Sequence, residues 1–463
     1  MIDLLVLLGF FVAFAGLGAL LGWARLHPVP KQQGWELLAL VFLLNTVGSV
    51  PPASAPHVPT SHAPWLAAGV GAAFGAGYAL KMLLSLRLPV TVSSVLACSQ
   101  IVVWSLFVAG VEKLVLLPTP FDILCIASLG ASLFWLEWTL LPLWGTAQNF
   151  ACSVPFNRPL ITWAGAAGGT WSIILFPACV CSLHKPQAPL WEALVLFAVS
   201  LGCAWLSDKF PSGLWKQNSQ TLRVAVFGWA GNALDSSTDI PAEFQTAARQ
   251  ANERGARLLV TPEAAIQVQN RAHFRVSLCT LAQKYNLALA VGYFDQKQNQ
   301  NCIDFVSAQG EVVSRYIKTH LVPVFERYQK GNGELALMEV DGIKVGGLVC
   351  QDDNFPDIAR KYGRAGAQLL AIPTNDWRGV KDVHFANSRW RALENRFALA
   401  RATSDGISAL TSASGDVLRS SDHFRDGAQL LVADVPVGSG RRLCMPEPAI
   451  GFLLRAVWRR LWD

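Results

Sequence analysis

Charge is shared out so unevenly along this chain that its two halves cannot fold in the same solvent. Residues 1–206 hold seven Lys/Arg and six Asp/Glu, while the whole chain of 463 holds 38 and 32. A charged side chain inside a bilayer is expensive, so a long run with so few charges is what lipid selects. Seven apolar stretches can be marked within it, at about 3–23, 35–50, 65–86, 90–111, 121–145, 160–183 and 189–206. Most reach the roughly 20 residues that cross a ~30 Å hydrocarbon core, and the second and seventh are short. The rest of the chain has ordinary globular composition and about one domain's length. The reading is therefore an α-helical membrane domain of about seven spans over 1–210, a soluble domain over 221–437, and a tail over 438–463.

Breakers separate the stretches: Pro28 and Pro30, Pro51 through Pro64, Pro118 and Pro120, Pro155 and Pro159. Trp23, Trp35, Trp65 and Trp191 fall near stretch ends, where tryptophan anchors at the headgroups. The first stretch begins Met1-Ile2-Asp3, with no basic lead-in, and runs on into Trp23-Ala24-Arg25. That argues for a retained helix over a cleaved signal. The few loop cations, Arg25, Lys31, Lys81, Arg87 and Arg158 against Lys113 and Lys185, favour a cytoplasmic soluble domain by the positive-inside rule. Glu137 lies within the fifth stretch beside Trp135 and Trp138. An intramembrane carboxylate is either functional or satisfied by a neighbouring helix.

The net charge of +6 is spread without a basic block, which excludes a nucleic-acid footprint and leaves mild attraction to anionic lipid. Ten cysteines include no Cys-x-x-Cys pair, so neither a zinc ribbon nor a thioredoxin-type centre is expected. After Pro211 short strand-like runs appear at 223–229, 257–262, 287–293, 302–307, 311–317, 335–340, 343–350, 368–373, 407–412 and 428–433. Helical runs at about 241–255, 270–285, 355–365 and 383–402 alternate with them. Buried strands beside amphipathic helices predict an α/β layered domain. The chain has no G-x-G-x-x-G, P-loop, H-E-x-x-H or G-x-S-x-G, so neither cofactor nor serine-hydrolase chemistry is supported.

Three strand ends carry reactive groups. Glu263 follows Leu258-Leu259-Val260, Lys318 follows Tyr316-Ile317, and Cys350 closes Gly346-Gly347-Leu348-Val349. Residues just past the strands of an α/β sheet converge at one edge. A carboxylate, an ammonium and a thiol meeting there would form a nucleophilic site. Glu takes the thiol proton, Lys stabilises thiolate and oxyanion, and the thiolate attacks a carbonyl. From spacing alone a structural cysteine, or a Cys–His dyad using His320 or His384, stays open.

The segments around these residues resemble the carbon–nitrogen hydrolase (nitrilase) superfamily, whose signature is a Glu-Lys-Cys triad on an αββα sandwich. LLVTPEAAI, YIKTHLVPVFE and VGGLVCQD are similar to its three blocks, in order, and PTNDW (373–377), RALENRFALARATSDGIS (391–408) and SGDVL (414–418) follow. The likeness is strongest to the membrane-embedded branch, the apolipoprotein N-acyltransferases, and includes 135–172 in the apolar half. The resemblance implies Glu263, Lys318 and Cys350 as catalytic residues, Glu326 as a supporting glutamate, and the backbone N–H of Gln351 as an oxyanion donor. It implies acyl transfer from a phospholipid, through a Cys350 thioester, to an apolipoprotein amine, in a multi-pass inner-membrane protein with the catalytic domain in the periplasm, against the charge bias. No metal or cofactor is expected, and a monomer is. A membrane-tethered amidase and a non-catalytic homologue are the alternatives. Four departures from the branch stand out: Val324-Phe325-Glu326 for Phe-Gly-Glu, Cys350-Gln351-Asp352 for Cys-Tyr-Glu, a short arm between Glu326 and Cys350, and a C-terminal segment from Pro448 too short to span. That segment places apolar residues at helical spacing opposite Arg455 and Arg459, as a helix lying in the interface does.

Overall fold

The computed structural model describes residues 63–86, 90–114 and 121–141, parts of 165–179, a few isolated positions, and residues 220–229 and 240–439. The expectations for 3–23, 35–50 and 189–206, single positions aside, and for the helix from Pro448 lie outside the described residues. By internal contacts the chain separates into two compact units. One comprises Leu143–Ala147 and Phe210–Leu443, the other Met1–Pro142, Gln148–Lys209 and Cys444–Asp463.

In the apolar unit α1 (Ala63–Leu86), α2 (Val90–Leu114) and α3 (Phe121–Leu140) follow one another. Ser94–Leu114 and Phe121–Leu140 are long and apolar enough to cross a membrane. α1 and α2 touch backbone to backbone because Gly71 and Gly75, four residues apart, have no Cβ. One built there would lie 2.3 Å from the Trp104 carbonyl oxygen and 2.6 Å from that of Gln100. Small residues at this spacing are how helices approach in lipid, where burial of apolar surface gives no drive. Trp104 fills the interior against Phe74, Phe107 and Phe134, with ring centroids 4.6, 5.9 and 5.2 Å away. Val102, Leu106 and Leu140 point outward and are more than half exposed, which suits hydrocarbon and not water. Glu137 is buried, and its Oε1 accepts from Ser99 Oγ (2.8 Å) and Gln100 Nε2 (2.6 Å) of α2. This carboxylate thus bridges neighbouring helices.

The second unit is built on β1 (Thr221–Gly228), β2 (Leu258–Val260), β3 (Gln267–Val268), β4 (Ala288–Asp295), β5 (Gln300–Val306), β6 (Val312–Ile317), β7 (Leu337–Val340), β8 (Ile343–Gly347), β9 (Leu369–Thr374), β10 (Ala398–Thr403), β11 (Ile407–Thr411), β12 (Val417–Asp422) and β13 (Gln429–Pro436). One sheet runs β13-β1-β2-β4-β5-β6, with β3 beside β4, and the other runs β12-β11-β10-β9-β8-β7. Strand periodicity explains the layering. Leu222, Val224 and Val226 join β8 and β9 residues in the core between the sheets, while Ala225 and Phe227 face the other way. There they meet α4 (Ala242–Glu253) and α5 (Arg271–Tyr285). Phe244, Ala247, Ala248 and Ala251 recur on one helical face for this purpose. The second sheet packs against α6 (Pro356–Arg364) and α7 (Lys381–Asn395), so the order of layers is α–β–β–α.

The expected helix over 383–402 is two elements. α7 stops at Asn395, Arg396 takes a left-handed φ of +54, and Ala398–Thr403 is the fully buried strand β10 between β9 and β11. Its alanines carry high helix propensity, and tertiary burial overrides it.

Candidate active site

Glu263, Lys318 and Cys350 lie one to three residues beyond β2, β6 and β8. Lys318 is fully buried, and its Nζ donates to Glu263 Oε1 and to Glu326 Oε1, each at 2.7 Å. Burial works against the Lys318 charge, but Glu263, Cys350 and Glu326 outweigh it and hold the ammonium well above its ordinary range. Glu326 is pushed up by burial, with Lys318 pulling the other way and Glu263 adding to the rise. Its Oε2 accepts from the Val322 N–H at 2.8 Å. Between them Val324 sits at φ +73, a left-handed conformation that is costly for a β-branched residue. Such strain persists only where surrounding contacts impose it. Here it falls at the first departure from the family's pattern, in the turn that returns Glu326 to the lysine.

Cys350 opens a 3₁₀ turn, Cys350–Asn354, and is itself at φ +45. Its Sγ contacts the Asn375 carbonyl at 3.7 Å. Among the described residues no hydrogen bond joins it to Glu263 or Lys318, and their coupling is through space. Burial pushes the thiol well above its ordinary range, the Glu263 charge pushes it further, and Lys318 opposes both. A thiolate is therefore not stored here. It has to form as the proton leaves for a nearby base. Gln351, also buried, follows in the same turn.

Two anchors, Asn301 and Asp352, were given no role from the sequence. Asn301 donates its side-chain N–H to Glu263 Oε1 at 2.7 Å, and its carbonyl accepts from the Lys318 N–H at 2.9 Å. Asn301 and Lys318 both donate to Glu263 Oε1, and among the described residues Oε2 has no hydrogen bond. Asp352, buried completely, accepts from the backbone N–H groups of Val349 (3.2 Å) and His320 (2.6 Å) and from the Tyr316 hydroxyl (2.9 Å). It ties the turn of Cys350 to the segment leaving Lys318. Their signal was there in outline, as polar residues on otherwise apolar strands and turns, but only pairing across the sheet tells which polar residue matters.

Neither histidine of the rival dyad is free to act as a base. His320 stacks on Phe355 at 4.0 Å and sits between Asp352 and Asp357. Burial lowers its affinity for a proton, but hydrogen bonds to the two carboxylates win and raise its pKa to about 9. His384 has Nδ1 2.6 Å from Asp376 and Nε2 2.7 Å from Asp353. Donor atoms of Cys350, Asp376 and His384 lie within 4.8 Å of one another, the one such group among the described residues. An imidazole whose two nitrogens face carboxylates this closely keeps both protons and has no lone pair for a metal. A polar cavity of about 640 Å³ beside Asn270, Arg271 and Lys297 contains none of these residues.

Residues 223–443 match the carbon–nitrogen hydrolase family. The second unit thus carries a carbon–nitrogen hydrolase domain. It is 29% identical over 209 residues to a hydrolase of Pseudomonas protegens encoded in the pqqF 5′ region, covering 41% of this chain and 72% of that one. It is 29% identical over 213 residues to apolipoprotein N-acyltransferase of Geobacter metallireducens, covering 40% of each chain. It is 27% identical over 255 residues to citrullinase of Francisella tularensis, covering 46% of this chain and 88% of that one. Among solved structures, an amidase from Nesterenkonia sp. is 24% identical, with a TM-score of 0.43 over 53% of this chain and 98% of that one. The acyltransferase is thus matched over well under two thirds of its length. By sequence the domain is that of a carbon–nitrogen hydrolase superfamily enzyme, and its relatives include an acyltransferase, a hydrolase and a citrullinase.

Proposed function

We propose that this nitrilase-superfamily chain moves a fatty acyl chain from a phospholipid, through a thioester on Cys350, to the N-terminal amine of a diacylglyceryl-cysteine apolipoprotein. The observation that carries the reading is the fully buried Lys318, held between Glu263 and Glu326 beside Cys350, in a chain that also has membrane-length apolar helices. A lysine buried between two carboxylates is costly unless its charge is used.

In the first half-reaction Glu263 Oε2 takes the Cys350 proton and Sγ adds to the ester carbonyl. Lys318 and the Gln351 N–H stabilise the oxyanion. The intermediate collapses, the lysophospholipid oxygen leaves, and it takes the proton back from Glu263. In the second half, the acceptor amine adds to the thioester carbonyl and gives its proton to Glu263. Collapse expels the Cys350 thiolate, which that proton restores to the thiol. Glu326 orients Lys318 or the incoming amine. No metal or cofactor enters either step.

The same reading takes 1–210 as a membrane domain of about seven spans, 221–437 as the catalytic domain and 438–463 as a tail with an interfacial helix, in a monomer of the inner membrane. The catalytic domain then faces the periplasm. The hydrolase and citrullinase relatives favour a second reading, a membrane-tethered amidase with the same triad. Purified protein given phospholipid and a diacylglyceryl-cysteinyl peptide separates the two. N-acyl peptide as the main product supports transfer, and free fatty acid at the same rate with or without peptide overturns it.

A further inference from the structure

Next to Cys350 four charged side chains, those of Asp353, Asp376, His384 and Arg401, are buried together. Arg401 Nη2 donates to Asp376 Oδ2 at 2.8 Å, and Asp376 Oδ1 lies 2.6 Å from His384 Nδ1. His384 Nε2 lies 2.7 Å from Asp353 Oδ1, in an ion pair not aligned as a hydrogen bond. Asp353 Oδ2 accepts from Ser388. Arg401 Nη2 also comes within 3.1 Å of His384 Nδ1. A neutral ring could accept from that arginine, but its Nδ1 lone pair would then face a carboxylate oxygen at 2.6 Å. The proton therefore belongs on Nδ1, and by the same argument on Nε2.

The geometry points to His384 as a fixed imidazolium that keeps the Asp353–Asp376–Arg401 cluster electrically neutral next to Cys350, so that the thiolate can form there. His384 is a positioning residue, not a base. The inference rests on the reading of Cys350 as the nucleophile. The charges of Glu263, Lys318, Asp376, Glu326 and Arg401 all act on Cys350, and ligand atoms of Asp376 and His384 lie within 4.8 Å of its Sγ. Asp376 opposes ionisation of Cys350, and its two cationic neighbours cancel it. A neutral side chain at 384 removes a positive charge from within about 5 Å of Sγ and leaves the cluster with one net negative charge. At effective dielectric constants between 20 and 80 this disfavours the thiolate by roughly fivefold to a few hundredfold. The same imidazolium holds Asp376 in place, and Asn375, whose carbonyl meets Sγ, is its neighbour in the chain.

The test is the rate at which iodoacetamide alkylates Cys350 in the detergent-solubilised full chain, read by peptide mass spectrometry from pH 6 to 10. His384→Gln should slow alkylation at pH 8 on the order of 30-fold and move the pH midpoint upward. Asp353→Asn added to His384→Gln removes one charge of each sign and should restore most of the rate. A purely structural role predicts that the double variant is no better than the single one, and that result overturns the inference, as does an unchanged pH midpoint in His384→Gln. If the single variant does not fold, the double variant decides alone: wild-type-like alkylation supports charge balance, and a folded protein with the full 30-fold loss refutes it. Wild-type Cys350 alkylated no faster than the other cysteines would instead sink its reading as the nucleophile.

Discussion

Replacing Lys318 with Met removes the charge and keeps most of the volume. Its two partners both lie 2.7 Å from Nζ, so their oxygens are at most twice that apart. Two unit charges about 5 Å apart at an effective dielectric constant near 20 repel by roughly 3 kcal/mol, or about two pK units. In the variant one of the two carboxyls therefore stays protonated near neutrality, and the site loses a base together with its cation. Breaking a buried pair by removing one partner costs about 3–5 kcal/mol, which for a domain of this size lowers the melting temperature by roughly 10 °C. Loss of an oxyanion partner alone is worth about 10²–10³ in rate, so thioester formation should fall by at least ~10³-fold. The assay is stopped-flow quenching with intact-mass detection of acylated enzyme, alongside a melting curve. Lys318→Met that melts with wild type and acylates within tenfold of its rate would falsify the role given to this lysine.

Glu326→Gln should slow transfer to the amine more than thioester formation, seen by trapping the acyl-enzyme before and after peptide is added. Equal slowing of both halves would remove Glu326 from the second. Asn301→Ala should lower kcat roughly 10–100-fold with little change in KM, because Glu263 loses the donor that fixes its Oε1, and a pure KM effect would contradict this. Stability should depend on pH through His320. Its folded pKa is about 9 against an ordinary 6.5. The folded state thus favours the protonated ring, and the stabilisation is whole below about pH 6.5 and lost as pH rises to about 9. Over that window the melting temperature should fall, and His320→Gln should flatten the fall; an unchanged slope would refute the ion pairs with Asp352 and Asp357. A membrane-impermeant thiol reagent or protease added to intact spheroplasts should reach the catalytic domain, and access only in inverted vesicles would make an apolipoprotein acceptor untenable.

What could be read from the sequence and what could not follows chain distance. The blocks ending in Glu263, Lys318 and Cys350 were legible because each is a strand-like run followed within three residues by a polar reactive residue, and the layered fold brings such ends together. The partition of charge exposed the apolar half just as directly, since it is a property of composition. Asn301, Asp352 and the cluster at His384 were not legible. Each has a partner distant in the chain: Glu263 is 38 residues from Asn301, His320 is 32 from Asp352 and Asp353 is 31 from His384. A dyad using His384 stayed open in the sequence because the contacts of its ring with Asp353 and Asp376 form only on folding. The strand β10 hid within a helical pattern because alanine-rich Ala398–Thr403 satisfies helix propensity and is a strand only by virtue of lying between β9 and β11.

The central claim is a covalent acyl-enzyme on Cys350, and intact-mass spectrometry of the purified full chain after incubation with a phospholipid of defined acyl composition tests it most directly. The account predicts a gain equal to one acyl group less a proton, mapped to the Cys350 peptide, released by the acceptor peptide, and absent from Cys350→Ala. No adduct on wild type under turnover conditions, or the same adduct and activity in Cys350→Ala, would contradict it.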